Sequence, residues 1–553
     1  MTDLIADPAP PPEAPAPPRA SVGEARLAGA VAAAMALGVG ELVTGLGASS
    51  QSLIGSVGNA FIRQSGGDLA RTAISLFQTA DKPALIVGIV VICLLIGAAL
   101  GVASRRRPWI GGVGFAAFGL VGVLAAASDP LASVGRATIG AAVAVAAGLG
   151  TLTLLLRLAA STHTPGASGR PARPANPDRP SVRDTPTSPH ASRRAFFGWT
   201  AAAGAFAATA AVAGRAAMQG TSNAARAAIR LPTPTNRAVP AGAPAAMTGP
   251  GVASFDVDGL SPYLVPNRDF YRIDTALVVP NVNPDTWSLK VSGMVSNPFE
   301  ITFDELMSLP QVEQAVTLSC VSNEVGGTLV GNALWQGVPL GTLLQHAGVQ
   351  PDASQVVGRS VDGFTAGFPT AALTTDRPAL VAVGMNGEPL PVLHGFPARL
   401  VVAGLYGYVS ATKWLTEIRL TTLDAFDGYW VPRGWSKQAP IKTESRIDVP
   451  RSGAPLQAGT VPIAGVAWAP GPGRGITRVQ VQVDDEPWQD AKLGEVLSGN
   501  TWRQWMLAWE ATAGTHTLRV RATDGTGETQ TEDKAPPEPD GATGWDSRRV
   551  TVT

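Results

Sequence analysis

Thr317-Leu318-Ser319-Cys320-Val321-Ser322-Asn323 holds one of two cysteines in a chain of 553 residues; the other, Cys93, lies in a long apolar run. A lone cysteine in an apolar stretch is usually a small buried residue. The alternatives are a nucleophile or a ligand to a soft metal, and both require the thiolate. No CxxC pair and no nearby pair of histidines points to zinc, and two cysteines make no disulfide framework. The role of Cys320 is therefore decided by its surroundings.

The stretches around it mix short strands and short helices. Val278 to Val295 holds β-type runs, Phe303-Asp304-Glu305-Leu306-Met307 starts a helical pattern, and Val338 to Leu344 starts another. Leu400 to Ala403 and Glu417 to Leu420 read as strands. Without regular βαβ alternation this argues for an α+β domain over residues 256–435. From about Pro440 the pattern changes. Thr477 to Val483 and Thr517 to Ala522 alternate with period two, Arg549 to Thr553 closes the chain, and Pro- and Gly-rich turns separate the runs. Short strands over 440–553 predict an immunoglobulin-like β-sandwich, without the paired cysteines of antibody domains.

The N-terminal half differs in kind. The chain is 45% hydrophobic and 15% charged, against roughly 25% charged in ordinary soluble proteins. Balanced charge, with 42 Lys+Arg and 42 Asp+Glu, argues against a nucleic-acid binder. Between Leu27 and Arg157 only twelve residues are charged, and all but Glu41 lie outside the apolar runs at 27–47, 84–103, 109–128 and 137–156. Each run approaches the roughly 20 residues that carry a helix across a bilayer. Residues 27–157 thus read as an all-α, four-helix transmembrane block after a disordered N-terminus at 1–26. Glu41 is the one support for a transport or sensing role, though near a span end it can also rest at the interface.

With the N-terminus inside, twelve arginines face the cytoplasm, against Arg63, Arg71, Lys82 and Arg136 outside. Residues 158–194, rich in Pro, Ser, Thr and Arg, read as a cytoplasmic linker. Ser192-Arg193-Arg194-Ala195-Phe196-Phe197 and the Ala-rich stretch after it resemble a twin-arginine export signal over 195–217. The same segment fits an ordinary fifth transmembrane helix, and Ala211-Val212-Ala213 resembles a cleavage site. A Pro/Ala-rich linker at 218–255 follows.

Several separated motifs then fall into one order: Cys320-Val321-Ser322-Asn323, Gly331-Asn332-Ala333-Leu334-Trp335-Gln336-Gly337-Val338, Asp362-Gly363-Phe364, His394-Gly395-Phe396-Pro397-Ala398-Arg399 and Lys413-Trp414-Leu415. Over 256–435 this order and spacing resemble the sulfite oxidase family of molybdopterin-dependent oxidoreductases, in its membrane-anchored bacterial form. The β-rich tail, with Ile441 to Ile447 and Gly465-Val466-Ala467-Trp468, is similar to that family's dimerisation domain.

The resemblance implies that Cys320 supplies a thiolate to molybdenum beside the dithiolene of molybdopterin, in an enzyme of oxygen-atom transfer. It implies that His394, Arg399 and Lys413 bind the pterin and its phosphate, where cationic donors suit an anion, and that Arg272 and Asn323 lie near the metal. Trp335 and Trp414 read as packing residues, and Gly326-Gly327 and Gly471-Pro472-Gly473 as turns. Folded export suits a cofactor inserted before crossing, placing the catalytic domain outside the cytoplasmic membrane. The implied partners are a small oxyanion or oxide substrate, an external electron-transfer protein, membrane lipid and a second copy in a homodimer.

The pattern departs from that family at three places. Glu324-Val325 follows Asn323 where basic residues are the rule, Ser410 stands where an arginine is expected, and Trp435 replaces a tyrosine. Fewer cations and an added Glu324 weaken a sulfite assignment. Methionine sulfoxide or another S- or N-oxide is the alternative substrate, and a non-catalytic binding module on the same fold is the alternative to an enzyme. With no CxxCH motif and no histidine in the spans, no haem is indicated.

Overall fold

Apolar length and α+β patterning recur as two compact units, Met1–Met218 and Gln219–Thr553. The computed structural model describes residues 19–46, 51–64, 81–161, 193–239 and 253–553.

The first unit is helical: α1 (Val22–Leu46), α2 (Leu53–Gln64), α3 (Asp81–Ser104), α4 (Pro108–Ala127), α5 (Val134–Ser161) and the start of α6 (Arg193–Ala228). Among the described residues five of these, all but α2, are long and apolar enough to cross a membrane. The first starts earlier than its apolar run because Ser21 and Glu24 cap it reciprocally: the Ser21 amide donates to Glu24 Oε2 at 2.9 Å and the Glu24 amide to Ser21 Oγ at 3.2 Å. Helix therefore replaces disorder from Val22, while 1–18 of the N-terminal segment and 162–192 of the cytoplasmic linker lie outside the described residues. The 12-residue α2 is an element that hydropathy did not reveal. It is too short to span, and Gln51, just before it, and Asn59, at its middle, donate to Asp129 Oδ2 at 3.1 and 3.0 Å.

In the second unit ten strands precede Asp424: β1 (Ser288–Gly293), β2 (Phe299–Thr302), β3 (Val312–Ser319), β4 (Val330–Pro339), β5 (Gln355–Ser360), β6 (Thr365–Pro369), β7 (Ala379–Met385), β8 (Glu388–Pro389), β9 (Arg399–Val402) and β10 (Leu415–Thr421). They form two sheets, β2-β1-β10-β5-β6 and β3-β4-β7-β8, with β9 on β7. The pair β1/β10 is parallel and the remaining pairs are antiparallel. Short helices punctuate them: Phe303–Ser308, opened by a Thr302/Glu305 capping box, and Leu340–Ala347. A single core, including Leu289, Trp335, Val381, Leu400 and Ile418, lies between the sheets. The expected α+β arrangement and its two helices are present.

Beyond Pro440 two further sheets share a second core of Ile463, Val481, Trp505, Leu518, Val520 and Val550. One orders β11 (Glu444–Val449), β13 (Gly459–Trp468), β17 (Arg503–Ala511) and β16 (Lys492–Leu493). The other orders β12 (Pro455–Leu456), β19 (Asp546–Val552), β18 (Gly514–Asp524), β14 (Ile476–Val483) and β15 (Gln489–Asp490). Alternating burial along β18 is the physical content of its period-two sequence.

The second expected linker, 218–255, is corrected in part. Helix α6 continues to Ala228, Arg226 Nε donates to the Pro389 and Leu390 carbonyls at 2.9 Å, and Arg226 pairs with Glu388 at 2.8 Å. Further on, Gln336 Nε2 donates to the Pro232 carbonyl at 2.7 Å and Asn236 bridges to Val312 at the edge of β3. A proline-rich chain has no core of its own, but its backbone satisfies an exposed sheet edge. Residues 240–252 lie outside the described set.

Arg446 of β11 stitches the second unit together. Its guanidinium reaches Asp448 at 2.7 Å, the Gly327 carbonyl at 2.8 Å and Ser261 Oγ at 2.9 Å, while the residue is only 6% exposed. Removing one partner of a buried ion pair strands the other, at a cost of about 3 kcal/mol or more. Arg446→Ala is expected to lower the denaturation free energy of the detergent-solubilised chain by about that amount, read from urea midpoints at constant slope.

Candidate active site

Strand β3 ends at Ser319, and the chain turns at once. The Asn323 amide donates to the Cys320 carbonyl at 3.1 Å, the Cys320 amide to the Leu329 carbonyl at 2.9 Å, and the Leu329 amide to Asn323 Oδ1 at 2.8 Å. This holds Cys320, 7% exposed, in the wall of a cavity enclosing about 900 Å³, part of it open to solvent. Burial pushes the Cys320 thiol up from its ordinary pKa, opposed by the Ser322 amide and hydroxyl and by the Lys413 charge.

His394, Arg399 and Lys413 meet Cys320 in the same cavity. His394 Nε2 lies 2.9 Å from the Asn267 carbonyl, so that nitrogen carries the proton and Nδ1 keeps its lone pair. Burial lowers the His394 pKa to about 4, with Lys413, Arg399 and Arg272 acting in the same sense and the Asn267 bond opposing them; the ring is neutral at pH 7. Arg399 begins β9 and donates to the carbonyls of His394 at 3.0 Å, Leu400 at 3.3 Å and Ala411 at 3.4 Å. Its guanidinium also lies 4.9 Å from the centre of the Trp335 ring, and burial lowers its pKa to about 10.

Lys413 Nζ is 3.1 Å from Asp274 Oδ2, and the same oxygen lies 2.8 Å from Arg272 Nε. Burial brings Lys413 down to about 8, with Asp274 opposing. The next residue, Trp414, has φ of +49°, a left-handed conformation that bulky residues rarely adopt. Its indole donates to the Val392 carbonyl at 3.0 Å, and both Lys413 and Trp414 line the cavity.

Two of the residues singled out near the metal stand behind the cavity wall and not in it. Asn323 is fully buried behind the cysteine turn and does not line the cavity; its Nδ2 donates to Glu444 Oε2 at 3.4 Å. Arg272 is also outside the lining, and Asp274, two residues on, takes that place. Glu324 is exposed and outside the lining, because the turn closed by Asn323 directs it away, so its negative charge is not added to the cavity. Ser410 is buried with Oγ bonded to the Leu405 and Tyr406 carbonyls at 3.1 Å. The carboxylates that do line the cavity are Asp274 and Asp362, and burial raises the Asp362 pKa. Sequence reading quoted Asp362 only within a motif and missed Asp274, whose signal was its position two residues after Arg272. Aromatic side chains complete the wall: Phe270, Tyr271, Phe364, Tyr408, Trp430 and Trp435.

The donor set fits a molybdopterin group. A soft sulfur faces the same space as a guanidinium and an ammonium, which suit a thiolate-bound metal and an anionic cofactor, and as a neutral imidazole whose Nδ1 can accept from a pterin N–H. Cys320 offers one soft donor to this space, as a metal held by a cofactor with donors of its own requires.

Residues 276–430 match the family model for an oxidoreductase molybdopterin binding domain. The chain is 31% identical over 304 residues to mitochondrial sulfite oxidase of Homo sapiens, covering 47% of this chain and 55% of that protein. It is 34% identical over 149 residues to the uncharacterized oxidoreductase YuiH of Bacillus subtilis, covering 27% of this chain and 72% of the relative. Among solved structures, the sulfane dehydrogenase SoxCD from Paracoccus pantotrophus aligns with 53% of this chain and 82% of that chain, at 23% identity and a TM-score of 0.46. The chain spans about half the length of the human sulfite oxidase it matches.

Glu444 supports the cysteine turn from β11. It accepts from Asn323 at 3.4 Å and from Tyr406 Oη at 3.3 Å, and burial raises its pKa to about 8, against those two bonds and the Lys442 charge. Its unfolded value is about 4.3, so the folded state binds the extra proton between the two values. That proton's stabilisation is complete below pH 4 and lost as pH rises through about 8. Glu444→Gln is therefore expected to flatten the fall in stability between pH 5 and 8.5 by on the order of a few kcal/mol, measured as the wild-type minus variant difference in urea midpoints.

Proposed function

The chain belongs to the sulfite oxidase family of molybdopterin-dependent oxidoreductases, and from that premise we propose that residues 256–435 are the catalytic domain of a membrane-anchored oxygen-atom-transfer enzyme. The observation that carries the reading is the convergence of Cys320, His394, Arg399 and Lys413 on one cavity. When bound, molybdopterin supplies dithiolene sulfurs and a molybdenum centre whose two-electron change accompanies oxygen-atom transfer. Cys320 gives the metal its protein ligand as the thiolate. Its burial disfavours a free thiolate, and a cation at the sulfur offsets that cost. Arg399 and Lys413 bind the phosphate of the pterin, and His394, through the Nδ1 lone pair left by its Asn267 bond, accepts from a pterin N–H. Arg272 and Asn323 act as positioning residues, Arg272 through Asp274 and Asn323 through the cysteine turn.

Within that chemistry we infer that the substrate is a neutral organic S- or N-oxide and not sulfite. Lys413 and Arg272 share Asp274, Arg399 is bound to three carbonyls, and His394 is neutral. An anionic cofactor further reduces the attraction for an oxyanion, whereas the aromatic wall accepts an apolar body. The human relative is named a sulfite oxidase, and sulfite is the reading this assignment competes with.

The membrane topology follows the same proposal. The five apolar helices suggest membrane association. The arginine bias puts the N-terminus inside, and the twin-arginine-like segment delivers a cofactor-loaded domain to the extracytoplasmic side. The two sheets at 440–553 act as an immunoglobulin-like dimerisation domain, and electrons are exchanged with an external protein.

Expressed in a molybdenum-replete host, the purified chain is expected to carry about one molybdenum per chain by elemental analysis, since one thiolate holds one metal. Cys320→Ser is expected to lose the metal's thiolate signature and turnover while keeping its circular dichroism; wild-type turnover in that variant overturns the ligand assignment. With artificial donors and acceptors, kcat/KM for aryl methyl sulfoxides is expected to exceed that for sulfite by at least about tenfold, or 1.4 kcal/mol. A sulfite preference overturns the substrate class alone.

A further inference from the structure

We propose that the helix opened by Arg193-Arg194 is never cleaved: it remains a permanent fifth span, docked along α1, and keeps the exported unit on the membrane. Its export role rests on the topology proposed above, whereas the docking rests on contacts within the first unit.

A small-residue run such as Ala211-Val212-Ala213 is a cleavage site only if a peptidase can reach its backbone. Here the run lies inside the continuous 36-residue helix α6, where each carbonyl is engaged one turn ahead. Ala207 and Gly214, which flank the run, are where α6 touches α1, while Val212, 69% exposed, and Ala213 lie on the outer side of the helix. A Cβ on Gly38 would stand 2.2 Å from the Ala207 carbonyl oxygen, and one on Gly45 would stand 2.3 Å from that of Gly214. A Cβ on Gly214 would in turn stand 2.3 Å from the Glu41 carbonyl oxygen. Contacts this close require glycine, the residue that lets helices in lipid approach backbone to backbone.

The two contact points lie seven residues apart on both helices and ascend together. The helices are therefore parallel, and seven residues return each to nearly the same face after two turns. Nearer the start of α6, Phe196, the aromatic residue of the export-like motif, is fully buried in one cluster with Ala25, Ala28 and Ala32 of α1. From Phe196 to Gly214 is eighteen residues, about 27 Å of helix, close to the roughly 30 Å of a hydrocarbon layer. The docking thus runs the depth of a membrane.

Between the glycine contacts sits Glu41, 3% exposed, with Arg215 Nε 3.6 Å from its Oε2. A carboxylate in a span is costly unless paired. A cut after Ala213 would leave Gly214 and Arg215 at a new N-terminus, held to α1 by no helix behind them. Glu41 thereby acquires a role as the partner that holds the last helix.

The test uses the full chain with a C-terminal tag in a bacterial host, followed by carbonate-washed membrane fractionation, intact mass and N-terminal sequencing of the tagged species. The expected result is a membrane-retained product at the full-length mass, near 56.7 kDa plus the tag. A soluble tagged fragment beginning near Gly214 overturns the proposal. Glu41→Arg is expected to reduce the full-length membrane form several-fold, and adding Arg215→Glu to restore it; failure of the double variant to recover overturns the ion-pair component. Mass and retention are read without any assay of cofactor or activity, so this outcome is separable from that of the enzymatic reading.

Discussion

The amide of Asn323 fastens the turn on which Cys320 depends. Its oxygen accepts from the Leu329 amide at 2.8 Å, and its nitrogen donates to Glu444 at 3.4 Å. A buried amide so engaged fixes the path of the loop, because losing either bond would strand polar groups away from water. The loop is correspondingly intolerant: a Cβ on Gly327 would stand 2.7 Å from Asn323 Oδ1, and one on Gly326, at φ of +73°, would stand 2.4 Å from Asp546 Oδ1. Arg446 and Arg548 donate to the carbonyls of Gly327 and Gly326 at 2.8 and 3.3 Å. Glu444, Arg446, Asp546 and Arg548 all belong to the C-terminal sheets. Those sheets thus contribute to holding the cysteine in place, whatever further contacts they make.

A second constraint is electrostatic. Buried cations are costly unless paired, and this cavity pairs them internally. Asp274 takes both Lys413 and Arg272, while carbonyls and the Trp335 face take Arg399. Cations so paired hold position without contributing a large field to incoming substrate. Under the proposed reading, specificity then falls to shape and to the aromatic wall, where Trp435 lies 5.9 Å from Tyr408 and 6.4 Å from Trp430, ring to ring.

Much of this was legible in the sequence where local chemistry and final environment coincide. The period-two run in β18, the helical starts at Phe303 and Leu340 and the long apolar helices describe their own surroundings. Cys320, His394, Arg399 and Lys413 could be grouped because a resemblance supplied the long-range pairing that spacing alone does not. Asp274 was missed for the same reason: an aspartate near an arginine looks solvated until Lys413, 139 residues away, closes on it. Glu324 misled because adjacency to a site residue is not adjacency to the site; one tight turn reverses a side chain. The continuation of α6 to Ala228 was hidden because Ala-rich sequence suits linker and helix alike, and Arg226 docking on Pro389, Leu390 and Glu388 is a tertiary contact.

The glycine content of the first unit follows from the solvent it is suited to. In lipid, apolar side chains gain little by meeting one another, so helices associate through close packing and the few polar contacts available. Here α1 carries that burden on two sides. A Cβ on Gly29 would stand 2.1 Å from the Gly97 carbonyl oxygen, and one on Gly101 would stand 2.1 Å from that of Ala25, joining α1 to α3. Gly38 and Gly45 join it to α6. Larger side chains at these positions would force the backbones apart and forfeit dispersion along the whole seam. Helix propensity, which disfavours glycine by about 1 kcal/mol per residue relative to alanine, is therefore overridden by approach distance. An N-terminal helix built in this way serves as a central post against which other helices are held, and α6, the one that continues into the second unit, is among them.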